Sequence, residues 1–314
     1  LGLARTTNES HSTGLMAQWA GLRRGTGPFE LSSWRQLEPW QSELFSLASA
    51  GDGSFAWARA GAEAGFKLAA AYWGSMLTNN ATINIQVKFA ALAPNVIGST
   101  GSAKADISVN SWENRVNATK SNSTIDQTAI KPTLTTGGVS GLTVGVNSSG
   151  NNDNSVTATL NGTQTASRTL YENTALLKAI GVNNSAVNSS SIDASMTFSS
   201  TFGFDFDSRD GITANTFDFL GVAIHEMGHA LGFVSGVDFF DYYGYPNGPG
   251  RGALGYDLND TSIFSALDMF RYSAPGTLDF RTGATKYFSI DGGQTALFGN
   301  TMSTGAYNGD GRQA

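Results

Sequence analysis

His225-Glu226-Met227-Gly228-His229 is the stretch of this 314-residue chain whose residue types and spacing can do chemistry. On a helix, residues four apart share one face, with roughly 5–6 Å between their Cβ atoms. Two imidazoles so placed can both reach one zinc ion, at about 2.0–2.1 Å from each nitrogen. Glu226 sits about 100° round the helix from His225, placed to accept a proton from a zinc-bound water rather than to ligate. Zinc lowers the pKa of such a water from 15.7 towards about 7 and polarises a carbonyl. The same carboxyl can then hand its proton to a leaving amine, a general base turned general acid. The H-E-x-x-H spacing can also arise by chance on an amphipathic helix, with both imidazoles solvated or capped. Two observations favour the metal. Two of the chain's three His lie in this pentapeptide, and a His-Glu pair interrupts an otherwise apolar helix, where uncompensated polar groups are costly.

The helix that must carry the motif reads TFDFLGVAIHEMGHALGF, 216–233. Phe217, Leu220, Val222, Ala223, Met227, Ala230 and Leu231 put apolar surface on most of its sides, so it should be largely buried. An Ala-rich helix is expected at 54–78, with Phe55, Ala62, Phe66, Ala69, Ala70, Trp73 and Leu77 at helical spacing. TINIQVKF, 82–89, alternates in steps of two and reads as a half-buried strand; SMTFSS, 195–200, is a second strand. Between 98 and 166 the chain is rich in Ser, Thr, Asn and Gly and reads as short strands and loops, including 142–146 and 155–160, with a turn at 147–155. Helices are expected at 167–180, with Leu170, Ala175, Leu176 and Ile180 on one face and Gly181 as a stop, and at 261–271, capped by Thr261 or Asp260. Residues 241–257 read as a Gly/Pro/Tyr-rich loop, and KYFSI, 286–290, as a strand. Residues 1–50 show little periodicity beyond a short helix near 33–47 and read as an extension; 51–314 reads as the catalytic domain.

Composition narrows the classes. Net charge is −6 and the pI about 5.0, which argues against nucleic acid, a ligand that asks for a basic patch. No run of 18 apolar residues is present, so no membrane span is expected. With no cysteines, zinc must be held by His, Asp or Glu. Low charge, an acidic pI and an Asn/Ser/Thr-rich composition fit an extracellular enzyme. The chain opens on Leu1 with no leader pattern, as a processed or partial chain would.

After the second His, Ala230-Leu231-Gly232 extends the pattern to H-E-x-x-H-x-x-G, and Asp218-Phe219 precedes the first His by seven residues. Both features resemble the active helix of metzincin zinc peptidases. The likeness is strong over 216–235 and covers the upstream helix and strands in outline. It implies an α+β fold: a twisted mixed sheet backed by the 54–78 helix, with the motif helix beneath a cleft. It implies a zinc endopeptidase acting on an extended polypeptide that adds along a sheet edge, with 82–89 and 195–200 as edge candidates. The chain departs from the family at Ser235, where most metzincins place the third His ligand. In leishmanolysin-like metzincins an insertion delays that His. A group of secreted bacterial metallopeptidases shares segments resembling HALGFVSGVD (229–238), LDMFRYS (267–273), KYFSIDGG (286–293) and GDGRQA (309–314). In that group a His and a Met-containing turn follow the last segment, which implies a chain that stops short of its third ligand.

Internal candidates for that ligand are Asp238, nine residues after His229, Asp268 on the expected following helix, and His11 in the extension. For each acid, a capping or solvated role competes with ligation. Tyr242, Tyr243 and Tyr272 could stabilise an oxyanion or could simply pack; Met269 lies in a helix-like stretch and is not read as the metzincin Met-turn. Asp205, Asp207 and Asp210 form an oxygen-rich cluster of the sort calcium favours, but Arg209 spoils an EF-hand spacing and a turn with solvated acids fits as well. Against the enzyme stands a second class, a secreted β-rich binding or surface module whose metal site is structural or vestigial.

Overall fold

The computed structural model describes residues 2–3, 54–77, 79–146, 156–237, 258–281 and 285–302. The fold is α+β, and the chain divides into two compact units, Leu1–Ala103 with Asn173–Leu231, and Lys104–Glu172 with Gly232–Ala314. Among the described residues no helix is long and apolar enough to cross a membrane. The expected helix at 33–47 and the loop and turn at 241–257 and 147–155 lie outside the described residues.

The first unit holds the motif. Its principal elements are β1 (Gly2–Leu3), α1 (Ser54–Met76), β2 (Ile85–Ala90), β3 (Gly98–Ser102), α2 (Thr174–Ala179), β4 (Ala194–Ser199) and α3 (Phe219–Leu231), with a short parallel pair, Phe204–Asp205 and Phe217–Asp218, ahead of α3. The sheet order is β1-β3-β4-β2. Strand β4 runs parallel to β2, Val87 opposite Met196, and antiparallel to β3, Thr100 opposite Met196. The sheet is therefore mixed. The segment around 82–89 stands at an edge, as expected. The 195–200 segment does not: β4 is paired on both sides, and its buried Ala194, Met196 and Phe198 suit an interior strand.

Both helices pack on this sheet. Ala62, Phe66, Ala69 and Ala70 of α1 meet Val87, Met196 and Phe198 of the sheet and Phe219, Ala223, Ile224 and Met227 of α3. The α1 residues recur at i, i+4, i+7 and i+8, which makes one continuous apolar face. Phe219 anchors the cluster, with its ring edge-on to Phe66 at 5.0 Å. Burying each such large side chain contributes about 1.5–3 kcal/mol.

The second unit corrects three expectations. Its 98–166 region holds helices Val109–Thr119 and Thr124–Thr128 besides strands; Ser108 and Ser123 cap them by accepting from Ser111 N and Asp126 N. The strands Gly138–Val146 and Val156–Asn161 pair antiparallel, close to the expected 142–146 and 155–160. The single helix expected at 167–180 is three elements: helix Thr165–Arg168, strand Thr169–Asn173 and then α2. The strand wins because it pairs with Lys104–Ser108, while Tyr171 N donates to Phe264 O. The helix expected at 261–271 is a loop with one 3-10 turn, Asp268–Phe270, leading into strand Arg271–Ala274. There Ser265 N bonds the Asp268 carboxylate and Ala266 N the Glu172 carboxylate instead of a helical ladder. The strand expected at 286–290 is found at Lys286–Phe288.

Candidate metal centre

Local rules start α3 where the motif needs it. The Asp218 carboxylate accepts from Leu220 N at 3.1 Å and Gly221 N at 3.2 Å, satisfying N–H groups that a helix start leaves without partners. The helix ends at Leu231, and Gly232 follows at φ 116°, a backbone conformation that favours glycine. That is the glycine of H-x-x-G.

His225 and His229 converge at their tips. Their Nε2 atoms stand 3.0 Å apart, with the rings perpendicular at 4.6 Å between centroids. Two nitrogens bound to one tetrahedral zinc would stand about 3.3 Å apart, so the pair fits such an ion with a small adjustment. His225 keeps an exposed face, yet the protein crowded round its ring, with His229 beside it, lowers its pKa to about 4. It is therefore a neutral imidazole at neutral pH, the form that ligates a metal.

Glu226, between the two histidines in sequence, is buried within the unit. It is 0% exposed, and burial lifts its carboxyl to about 7 against the hydrogen bond from Thr100 that favours the charged form. Thr100 Oγ1 donates to Glu226 Oε2 at 2.6 Å and also lies 3.0 Å from Glu226 O. Glu226 Oε1 is buried with no hydrogen-bond partner.

Two other side chains fix the backbone of α3. Trp73 Nε1 donates to Ile224 O at 3.0 Å. Asn173 Nδ2 donates to His229 O at 2.7 Å and Ala230 O at 3.1 Å, carbonyls at the helix end that lack intrahelical partners. Thr100, Asn173 and the glycine at 98 beneath Glu226 went unread in the sequence. Asn173 carried no signal, since it lies in a stretch that reads as helix. Thr100 and Gly98 carried none, because GSTGS looks like loop.

The other candidates resolve differently. Asp268 lies in the second unit, fully buried, not on an α-helix. Its carboxylate accepts from Ser235 Oγ, Gly236 N and Ser265 N, so it organises a loop rather than presenting free oxygens to an ion. Ser235 is spent on the same contact. Asp238, His11, Tyr242 and Tyr243 lie outside the described residues. Tyr272 is 3% exposed and Met269 0%, both in positions of packing. Asp205 accepts from Thr213 N, Thr213 Oγ1 and Asp207 N, and Asp207 is paired with Arg209, so these acids shape an exposed turn. Among the described residues no group of three or more His, Cys, Asp or Glu is gathered as a metal set. No protein-family model, curated protein or solved structure matches this chain.

Proposed function

We propose that this chain is a secreted zinc metalloendopeptidase of metzincin type. The observation that carries the reading is the convergence of His225 and His229 Nε2, 3.0 Å apart, on a helix whose intervening Glu226 is held by an oriented hydrogen bond. The mixed sheet, its backing helix α1 and the Gly232 exit from α3 support the family. The third zinc donor is left to residues outside the described set. The low charge, Asn/Ser/Thr-rich composition and acidic pI support action outside the cell.

A bound zinc supplies Lewis acidity for the scissile carbonyl and an acidified water. The chain's own residues do the rest. His225 and His229 would hold the ion through their Nε2 atoms. Glu226 would accept a proton from the attacking water and would return it to the amine nitrogen as the C–N bond breaks. The substrate is an extended polypeptide, which can hydrogen-bond along a sheet edge.

Purified protein should contain about one zinc per chain and cleave casein in a chelator-sensitive way. Glu226→Gln should keep the zinc and lower kcat by about 10²–10⁴-fold. Zinc retained with no chelator-sensitive cleavage would overturn the peptidase reading in favour of a binding module with a structural metal.

A further inference from the structure

Strand β3 meets Glu226 through two residues on one face. Side chains two apart in a strand point the same way, and Gly98 and Thr100 stand opposite Phe198 and Met196, whose side chains are in the core. Thr100 is itself only 5% exposed, with its hydroxyl 2.6 Å from Glu226 Oε2. At Gly98, a Cβ would fall 2.6 Å from Glu226 Oε1 and 2.9 Å from its Cδ and Cγ. Real Cβ atoms do not approach so closely, and the carboxyl could yield only by turning. Gly98 is thus required here for space: its φ lies outside the left-handed region, so alanine would suit the backbone. Gly101, on the same strand, has nothing within 4 Å of its would-be Cβ.

We propose that Gly98 and Thr100 form a cradle that positions the general base. Thr100 ties down Oε2 and Gly98 leaves room for Oε1, so the carboxyl is held in one orientation. The assignment rests on the peptidase reading. Thr100 acts as a positioning residue: it touches the base and not the reacting atoms. Its hydroxyl limits rotation of the carboxyl about its last bond, and small errors of placement are expensive in a proton transfer.

The test uses the whole chain with zinc bound. Thr100→Val should keep zinc and KM while kcat falls about 10- to 100-fold, the loss of one hydrogen bond to a charged group. Thr100→Ser should recover kcat to within about threefold. Gly98→Ala should lower kcat by a similar factor and Gly101→Ala should leave it unchanged. An unchanged kcat in Thr100→Val, or a Thr100→Ser as slow as Thr100→Val, would overturn the cradle while Glu226→Gln still tests the peptidase separately. If the unmodified chain does not cleave, urea unfolding of the metal-free protein decides the geometry. Gly98→Ala should lower the midpoint in the Glu226 background and not in Glu226→Ala, where the clash is gone; an equal loss in both would sink the proposal.

Discussion

Ser235 donates its hydroxyl to the Asp268 carboxylate at 2.5 Å, and both side chains are buried. In the metzincin resemblance, Ser235 stands where most members have a third histidine, and Asp268 is a candidate to replace it. The two satisfy each other. Asp268 further accepts from Gly236 N and Ser265 N, each at 2.7 Å, and Ser265 Oγ donates to Val234 O at 2.6 Å. The chain after Gly232 is thus stapled to the 263–268 loop, so closely that a Cβ on Gly236 would lie 1.9 Å from Ile263 O.

Asp268→Ala therefore tests a structural role against a ligand role. It strands two buried N–H donors, each costing about 1–3 kcal/mol, so stability should fall by about 3 kcal/mol or more. Zinc content of the folded fraction should not change. Urea unfolding alongside metal analysis checks both, and zinc lost at unchanged stability would make Asp268 a ligand.

Asn173→Asp keeps the shape of the side chain and removes its donors. A carboxylate would then face the His229 and Ala230 carbonyls, which the amide now satisfies. We expect a loss of about 2–4 kcal/mol in urea unfolding. Zinc affinity should fall about tenfold, as His229 loses the support of its backbone. An unchanged midpoint would show that the amide does not hold the helix end.

Stability should decline as pH rises from about 4.5 to 7. Burial pushes the Glu172 carboxyl from its ordinary 4.5 up to about 7, with Lys104 and the Ala266 N–H opposing that rise and Asp268 adding to it. The folded state then binds more protons than the unfolded chain within this window, so the stabilisation present below 4.5 is lost as pH rises through 7. The change is on the order of 3 kcal/mol at most. Glu172→Gln should remove its share of the decline and leave the share that the Glu226 carboxyl, also lifted to about 7 by burial, contributes. Urea midpoints at pH 5 and pH 8 for both proteins make the comparison, and equal slopes with and without the carboxyl would refute the assignment.

The sequence made some of this legible and hid the rest for physical reasons. Helices α1 and α3 declare themselves through Ala content and continuous apolar faces, and β2 and β4 through alternation. The helix Val109–Thr119 is masked by its polar composition, since Val109 and Trp112 are its only buried residues. At 167–180 the local pattern favoured helix, and pairing with Lys104–Ser108 overrode it. In the site, His225, Glu226 and His229 announce themselves by spacing on one helix. Thr100 and Asn173 reach that helix from 126 and 56 residues away, a separation across which no local periodicity operates.

Strand β3 offers one more consequence. GSTGS carries two glycines and no large apolar side chain, so it has little intrinsic liking for extended structure and holds its place through backbone bonds to β4 and a two-residue pairing with β1. Its amides should trade for deuterium sooner than those of β4, which is paired with β2 along its full length and with β3 over 194–198. Each such opening separates Thr100 from Glu226. The lifetime of the aligned base is then bounded by the breathing of the least self-sufficient strand in the sheet, and the short β1 pairing along its outer edge lengthens that lifetime by closing the strand from the other side.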